Sequence, residues 1–326
     1  MRAAFYVEQG PAERVFVVGD QPTPEPGPGE VRVKLRTSGV NPSDWKVRKG
    51  GFGRALMAPL IIPHSDGAGV IDAVGRDVRG RNPGERVWIW NGQWRRAFGT
   101  AAEYISVPSK QAVRLPDSIG FDVGACLGIP AMTAMHAVRA VSAGPGKALL
   151  VAGGAGAVAQ CAIQIAKSRG AHVIATVSSD LKALSAQAAG ADEVINYKTE
   201  DVGSRIKDIT GGEGVGSVIE VDLTTNAKHY PKVLRPDAIV AVYGMSGPEA
   251  TLPSLWMMQN SITLRMLLVY TVAESERLDE IKELTSLLER KVLSPIIARR
   301  FSLEQVAMAH DAVESGALIG NVILDI

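Results

Sequence analysis

Two kinds of hydrophobic patterning divide the chain. Up to about residue 124, short runs of strand length such as 31–37 and 67–74 lie between glycine- and proline-rich turns, which predicts a β-rich, barrel-like domain. From about residue 125, apolar runs of strand length alternate with helical patterns, as in 172–177 followed by a helix from Leu181. This alternation is typical of a parallel, doubly wound sheet, so the predicted fold class is α/β.

The last part of the chain is predicted to complete the first domain rather than to form a third. Its longest helical pattern covers 274–290 and puts four apolar residues on one face: Leu278, Ile281, Leu284 and Leu288. A strand, a second helix and a closing strand follow. The predicted domains are therefore 1–124, 125–267 and 268–326, with the third range belonging structurally to the first.

Composition limits the classes of partner. The 35 Lys and Arg residues nearly balance the 34 Asp and Glu residues, which argues against nucleic acid or an anionic membrane. The only cysteines, Cys126 and Cys161, are too few for a disulfide framework or a four-thiolate zinc site, which favours a reducing compartment. Residues 1–5 lack a signal-peptide core, and no uncharged apolar run reaches membrane-spanning length. We expect a cytoplasmic protein whose partners are small molecules or a second copy.

One stretch carries the clearest chemistry. The apolar run 148–152 is followed by Gly153, Gly154 and Gly156, and then by a helical pattern. Glycines permit a tight turn and let a phosphate approach the backbone, while a helix N-terminus offers unpaired N–H groups. Gly154, Gly156 and Ala159 have the spacing of the G-x-G-x-x-G/A fingerprint. The stretch predicts a dinucleotide-binding turn, the alternative being a glycine-rich turn that binds nothing.

The end of the next strand bears on which dinucleotide is bound. Sites that prefer NAD place an acidic residue there to bind the ribose hydroxyls. Here the strand ends in Ser178 and Ser179, with Lys182 one turn later, which suits the 2′-phosphate of NADPH. Asp180 lies nearby, but its position after two serines is better explained by helix capping.

The apolar run 262–269 is predicted to be the last strand of the parallel sheet. Such a strand would leave an exposed edge, and exposed edges usually pair with a copy of themselves. We therefore expect a homodimer that forms through this edge strand.

A set of short motifs extends over nearly the whole chain. The set comprises Gly39-Val40-Asn41-Pro42, Gly69-Val70-Ile71-Asp72-Ala73-Val74-Gly75, Gly84-Glu85-Arg86-Val87, Ala102-Glu103-Tyr104, Gly128-Ile129-Pro130 with Thr133-Ala134, Gln164-Ile165-Ala166-Lys167, Gly190-Ala191, Val194-Ile195-Asn196-Tyr197 and Ala309-His310. In these motifs and their order the chain resembles the zinc-independent quinone oxidoreductases, the zeta-crystallin-like branch of the medium-chain dehydrogenase/reductase superfamily. The resemblance implies a GroES-like catalytic domain, a Rossmann domain and an active site in the cleft between them.

The resemblance also bears on zinc. The zinc-dependent members of the superfamily carry an early Cys, a Gly-His-Glu and a cysteine-rich lobe, none of which is present in this sequence. His64 lies one position before the matching ligand position, which Ser65 occupies, so no metal is expected. The implied activity is NADPH-dependent hydride transfer to a quinone or an α,β-unsaturated carbonyl. The alternative is an NADPH-binding structural or regulatory protein, as in lens crystallins, with little turnover.

On the acceptor side, the resemblance implies that Asn41 donates a hydrogen bond to the acceptor's carbonyl; the alternative is an Asn that only shapes the turn before Pro42. Lys46, with Trp45 before it, stands where many relatives have a Tyr. It is a candidate to supply charge or a proton to a developing enolate, or else a solvated surface lysine.

An aromatic loop is the other candidate on the acceptor side. Strand alternation would put Trp88 and Trp90 on the same face, with Trp94 on the turn that follows. Trp90 and Trp94 are candidates to wall the substrate cleft, the alternative being packing in the core or in a dimer interface.

The cofactor contacts are carried over from the family by matching positions. Thr133 and Leu268 to Tyr270 are expected beside the nicotinamide, Ala155 to Val158 at the pyrophosphate, and Lys182 and Tyr197 at the adenosine phosphate. The complete predicted set is Thr133, Gly153, Gly154, Ala155, Gly156, Ala157, Val158, Ser178, Ser179, Lys182, Tyr197, Asn226, Gly244, Met245, Ser246, Gly247, Leu268, Val269 and Tyr270.

Two carboxylates depart from the family pattern. Glu220 and Asp222 stand in a segment where bacterial relatives carry Asp-Ser-Val-Gly. They could be acid/base machinery, but we expect them to be solvated residues that form a turn.

Overall fold

A computed structural model describes residues 1–53 and 55–326. Its strands are β1 (Arg2–Phe5), β2 (Val17–Asp20), β3 (Glu30–Val40), β4 (Asp66–Val74), β5 (Arg86–Ile89), β6 (Tyr104–Pro108), β7 (Ala112–Arg114), β8 (Ala148–Val151), β9 (His172–Val177), β10 (Glu193–Asn196), β11 (Val215–Glu220), β12 (Leu234–Val242), β13 (Thr263–Met266), β14 (Ile297–Ser302) and β15 (Asn321–Asp325). Its α-helices are α1 (Ala12–Val15), α2 (Pro42–Arg48), α3 (Phe121–Gly124), α4 (Met132–Ala140), α5 (Ala157–Ser168), α6 (Asp180–Ala188), α7 (Val202–Ile209), α8 (Leu223–Asn226), α9 (Tyr230–Val233), α10 (Ser254–Gln259), α11 (Glu274–Glu289) and α12 (Val306–Glu314). Within the described residues, none of these helices has both the length and the apolar composition to cross a membrane.

The first compact unit consists of Met1–Pro130 and Pro295–Ile326. Its main sheet has the strand order β14-β15-β3-β4-β5-β7, and β6 also pairs with β3. All of these pairs are antiparallel except β14 with β15. Along the central strand β3, Val31, Val33 and Leu35 enter the core, as the two-residue period of a strand requires. This is the predicted β-rich domain.

The second unit, Ala131–Ser294, contains a parallel sheet with the order β10-β9-β8-β11-β12-β13. From β8 the chain moves outward to β9 and β10, and then crosses to the other side of β8 to form β11. The carboxyl ends of β8 and β11 therefore lie side by side at a switch point, which is where doubly wound sheets bind their ligands. The predicted α/β class is confirmed.

The boundaries of the two units lie at 130/131 and 294/295, whereas 124/125 and 267/268 were predicted. The difference at the second boundary concerns α11, which packs on α4 within the second unit. The buried side chains of α11 are Arg277, Glu280, Leu284, Leu287 and Leu288. The prediction for Leu278 is wrong, because its side chain is exposed. Arg277 and Glu280 take the inner face instead, since both find buried hydrogen-bond partners there.

Candidate active site

The loop after β8 forms the predicted turn. Gly153 adopts a φ of +68°, which favours glycine, and Gly154 donates its N–H to the carbonyl oxygen of Thr176 at 2.8 Å. A Cβ added to Gly154 would lie 2.8 Å from the Cβ of Ala175, so the loop packs directly on β9. Gly156 is exposed and precedes α5, and Ala157 and Val158 begin the helix with small or medium side chains. The turn thus leaves the N-terminus of α5 open to an anion.

Gln160 is a buried residue of this turn that sequence reasoning missed. Its side-chain amide donates to the carbonyl oxygen of Gly154 at 2.7 Å, and the residue is fully buried. The signal was a polar residue inside the apolar first turns of α5. Gln160 therefore stabilises the conformation of the glycine turn through this hydrogen bond.

The predicted determinants of dinucleotide preference lie together at the ends of β9 and β10. These strands pair so that Asn196 lies opposite Val177, and Tyr197 donates its main-chain N–H to the carbonyl oxygen of Val177 at 3.1 Å. The hydroxyl of Ser179 caps α6 by accepting the N–H of Lys182 at 3.4 Å. Ser179, rather than Asp180, is therefore the cap residue, and Asp180 is the first residue of the helix.

The two carboxylates after β11 have different environments. Glu220 is buried, so the prediction that it is solvated is wrong. It accepts hydrogen bonds from the side chains of Asn226 (2.8 Å) and Tyr230 (3.3 Å) and from the N–H of Asp222 (2.8 Å). Burial raises the pKa of Glu220 above its usual range.

Asp222 does form a turn, as expected. It caps α8 and accepts the N–H of Ser246 at 3.0 Å, which ties the predicted 244–247 turn to the end of β11. A Cβ on Gly244 would collide with the carbonyl oxygen of Val221, so only glycine fits at this position. The carboxylates therefore shape two predicted cofactor segments, 244–247 and the one that holds Asn226.

The predicted nicotinamide contacts of the second unit are held by a buried polar network. Thr133 lies on α4, and α4 contacts the turn that contains Val269 and Tyr270. Arg277 donates to the carbonyl oxygen of Val269 at 2.5 Å, and His136, one turn after Thr133, lies 2.7 Å from a carboxylate oxygen of Glu280. Helix α11 therefore stabilises both α4, which carries Thr133, and the turn that contains Val269 and Tyr270.

In the first unit, Asn41 lies at the start of α2 between two buried acids. Its main-chain N–H donates to Oδ2 of Asp44 at 2.7 Å, and its Nδ2 donates to Oδ2 of Asp66 at 2.9 Å. Burial raises the pKa of Asp44 to about 7, and it raises the pKa of Asp66 well above its usual range. The structure therefore gives Asn41, the predicted hydrogen-bond donor, a fixed and largely buried position.

The other acceptor-side candidates fall into two groups. Trp45 and Lys46 share α2 with Asn41, and the Nζ atom of Lys46 lies 5.7 Å from the Trp45 ring centroid. Trp90 is not on this helix but directly follows β5, and its indole N–H donates to the carbonyl oxygen of Lys110 at 3.2 Å. The prediction that Trp88 and Trp90 share a face is wrong, because β5 ends at Ile89; Trp88 is fully buried, whereas Trp90 is only partly buried.

His64 is part of a buried chain of hydrogen bonds. Its Nε2 lies 2.9 Å from Nε2 of His310, and its Nδ1 lies 2.9 Å from the hydroxyl of Ser38. That hydroxyl is in turn 2.7 Å from the hydroxyl of Thr100. Burial lowers the pKa of His64 to about 3 and that of His310 well below its usual range. Across residues 1–53 and 55–326, no three His, Cys, Asp or Glu side chains are arranged to hold a metal ion.

Comparisons with known proteins agree with this architecture. Residues 27–117 match the alcohol dehydrogenase GroES-like domain, and residues 157–290 match the zinc-binding dehydrogenase family. The rat quinone oxidoreductase is 30% identical over 330 residues, which cover 99% of this chain and 97% of the rat protein. The human quinone oxidoreductase is 29% identical over 318 residues, which cover 97% and 95%.

Solved structures give the same result. The Escherichia coli quinone oxidoreductase complexed with NADPH superposes with a TM-score of 0.90 at 26% identity and covers 100% of both chains. An NAD-dependent alcohol dehydrogenase also gives 0.90, at 31% identity, with 100% of both chains covered. A GroES-like unit and a doubly wound unit in one chain are the architecture of the medium-chain dehydrogenases/reductases. Within that superfamily, this chain belongs to the quinone oxidoreductases and is an oxidoreductase.

Proposed function

We propose that this protein is an NADPH-dependent reductase of quinones or α,β-unsaturated carbonyls that needs no metal ion. The observation that carries the proposal is the turn between β8 and α5. The backbone of this turn is exposed at Gly156, and the turn lies at the switch point of a parallel sheet. The buried side chain of Gln160 stabilises it by a hydrogen bond to the carbonyl oxygen of Gly154. These residues fit a pyrophosphate.

The preference for NADPH over NADH rests on the end of β9. Ser178, Ser179 and Lys182 offer hydroxyls and a cation near the position where an NAD site carries an acid. Asp180 is in the first turn of α6, where the helix dipole stabilises a carboxylate. The E. coli relative solved with NADPH supports this preference, whereas the relative described as NAD-dependent argues for testing both dinucleotides.

On the acceptor side, a bound NADPH supplies a hydride from its nicotinamide ring. The chain would then have to hold the acceptor and stabilise the negative charge that develops on its oxygen. Asn41 would donate a hydrogen bond to that oxygen, and the ammonium of Lys46, on the same helix, would supply positive charge or the proton that completes the reduction. Trp45 would contribute an apolar surface beside them.

Metal-free chemistry is supported by the hydrogen bonds of His64, the histidine near the matching zinc-ligand position. Both of its ring nitrogens have protein partners, at 2.9 Å from Ser38 and 2.9 Å from His310. Ser65, at the position that matches a zinc ligand in the superfamily, is buried. Reduction of an acceptor that is already activated needs no Lewis acid, which fits quinones and enones.

A homodimer through β13 is part of the proposal. In the sheet formed by the described residues this strand is the last, pairs with β12 on one side and has no partner strand on the other. The side chains of Leu255 and Met258 on α10 are 64% and 73% exposed, and those of Met266 and Leu268 are 55% and 49% exposed. Association with a second copy would cover this apolar surface.

The test is oxidation of NADPH by the purified protein in the presence of para-quinones, ortho-quinones or 2-alkenals, with NADH in parallel. The proposal predicts turnover with at least one acceptor class and a higher rate with NADPH. The rival function, a crystallin-like protein that binds NADPH, is favoured by the burial of Asn41. Binding of NADPH in a thermal-shift assay without turnover of any acceptor would establish that rival.

A further inference from the structure

We propose that Asp66 is a positioning residue for Asn41: its carboxyl group fixes the Asn41 amide so that the nitrogen, rather than the oxygen, serves the acceptor. This inference rests on the proposed function and adds a residue to it. Sequence reasoning assigned Asp66 no role.

The hydrogen bonds of Asp66 decide which way the Asn41 amide points. Oδ2 of Asp66 receives the main-chain N–H of Ile129 at 3.1 Å and lies 2.9 Å from the Asn41 amide. A main-chain N–H can only donate, so this oxygen acts purely as an acceptor when the carboxyl is ionised or carries its proton on Oδ1. If the Asn41 amide were flipped, two acceptor oxygens would face each other in a buried site. The amide must therefore present Nδ2 to Asp66.

The position of the carboxyl group is itself tightly defined. Asp66 is fully buried, and its main-chain oxygen accepts the hydroxyl of Thr100 at 2.5 Å. Gly128 packs against the carboxyl, and a Cβ at that position would collide with Oδ1. Asp44 holds the main-chain N–H of Asn41 at 2.7 Å. Asn41 is thus fixed at its backbone by one acid and at its side chain by another.

The remaining chemistry of the amide follows from this arrangement. An amide nitrogen carries two hydrogens, and Asp66 takes one of them. The second hydrogen leaves the same nitrogen in a direction that the first bond fixes. Oδ1 of Asp66 is buried without a hydrogen-bond partner among the described residues, so Oδ2 is the carboxyl oxygen that holds the Asn41 amide. A fixed donor costs little reorganisation when charge develops on an acceptor oxygen.

The experiment compares Asp66→Asn with Asp66→Leu. Asparagine keeps an oxygen that can accept from both Ile129 and Asn41, and its amide can turn toward the carbonyl oxygen of Ile89, which adjoins the same space. Leucine has a similar shape and no acceptor. We expect D66N to retain kcat/KM for the acceptor within about threefold and D66L to lose at least about tenfold, with the Kd for NADPH unchanged in both.

Two further variants separate positioning from a general effect on folding. Asp72→Leu makes the same substitution at an exposed position of the same strand and is expected to leave kcat/KM within about twofold. In an Asn41→Ala background, D66L should cost less than about threefold, because the amide that it positions is gone. Thermal unfolding of each variant confirms that it is folded.

The outcomes distinguish the inference from the proposed function. A wild-type protein without turnover overturns both. Turnover with equal losses from D66L in the wild-type and Asn41→Ala backgrounds overturns the positioning role alone. A folded D66N that loses more than about tenfold also overturns it, and this result is decisive even if D66L does not fold.

Discussion

The Nε2 atoms of His64 and His310 lie 2.9 Å apart although the two residues are separated by most of the chain. Only one of these nitrogens can carry the shared hydrogen, so at most one ring can be charged; because burial lowers the pKa of both histidines, both rings are neutral at neutral pH. The second nitrogen of His64 lies 2.9 Å from the hydroxyl of Ser38, whereas Nδ1 of His310 has no partner among the described residues. The tautomer that leaves no buried N–H unpaired therefore has Nδ1–H on His64 and Nε2–H on His310.

The histidine pair makes the stability of the first unit depend on pH. In the unfolded chain each ring titrates near 6.5, whereas burial lowers the pKa of His64 to about 3 in the folded protein. The unfolded state therefore binds more protons below about pH 6.5, and the stability that the neutral pair contributes is lost as the pH falls from there toward 3.

We expect His310→Gln to reduce this pH dependence, because its amide can still donate to His64 but does not titrate. The slope of the unfolding free energy against pH should fall by up to about 1.4 kcal/mol per unit below about pH 6.5. Urea unfolding across this range measures the slope. Comparison with the wild type removes the opposite contributions of Asp44 and Asp66, whose pKa values are raised. Parallel slopes would contradict the prediction.

Glu220 should be replaceable by glutamine but not by alanine. A glutamine oxygen can accept from Asp222 and Asn226, and its amide can donate to the hydroxyl of Tyr230, so all three contacts survive. Alanine leaves these groups without their partner, at about 1–3 kcal/mol for each group that water does not reach.

The measurements are a titration with NADPH and a thermal melt of each Glu220 variant. E220Q should bind NADPH within about threefold of the wild type, and E220A should bind at least about tenfold more weakly and unfold at a lower temperature. Equal affinities in the two variants would show that Glu220 does not support the cofactor segments.

Ser179→Asp should shift the dinucleotide preference toward NADH. Ser179 caps α6, and aspartate is an equally good cap, so the helix should be preserved. The new carboxylate would lie at the end of the second strand, where it can bind ribose hydroxyls and repels a 2′-phosphate. The ratio of kcat/KM for NADPH to that for NADH should fall at least about tenfold, corresponding to about 1.4 kcal/mol. An unchanged ratio would place the 2′-phosphate elsewhere. Ser185→Asp, on the same helix, is the control.

Met266→Lys tests the dimer. The residue lies on the edge strand β13 and is 55% exposed, so a charge there should not disturb the core but should oppose pairing of two edges. Light scattering after size-exclusion chromatography should give a dimer for the wild type and a monomer for the variant. A wild-type monomer would contradict the proposed association.

The features that the sequence predicted well are local ones. The glycine turn of 153–156 follows from residues that are adjacent in the chain, because glycine spacing, the preceding strand and the following helix each have their own signal. The parallel, doubly wound sheet of the second unit follows from the alternation of strands and helices.

The features that the sequence did not predict depend on contacts between distant residues. Nothing near His64 indicates His310, and nothing near Asp66 indicates that Asn41 and Ile129 will surround it. Glu220 is a case of nearer residues: its partners Asn226 and Tyr230 are 6 and 10 positions away, but they lie on the two helices that follow it, and the local pattern does not show that those helices cover it. Buried polar groups of this kind are satisfied by tertiary structure, which periodicity does not report.

The most direct test of the central claim is the rate of NADPH oxidation with a quinone or enone acceptor, measured before and after the protein is dialysed against a chelator and with its metal content determined. The account predicts that the dialysed, metal-free protein retains the full rate with at least one acceptor class. A rate that disappears on dialysis and returns with added zinc would contradict it.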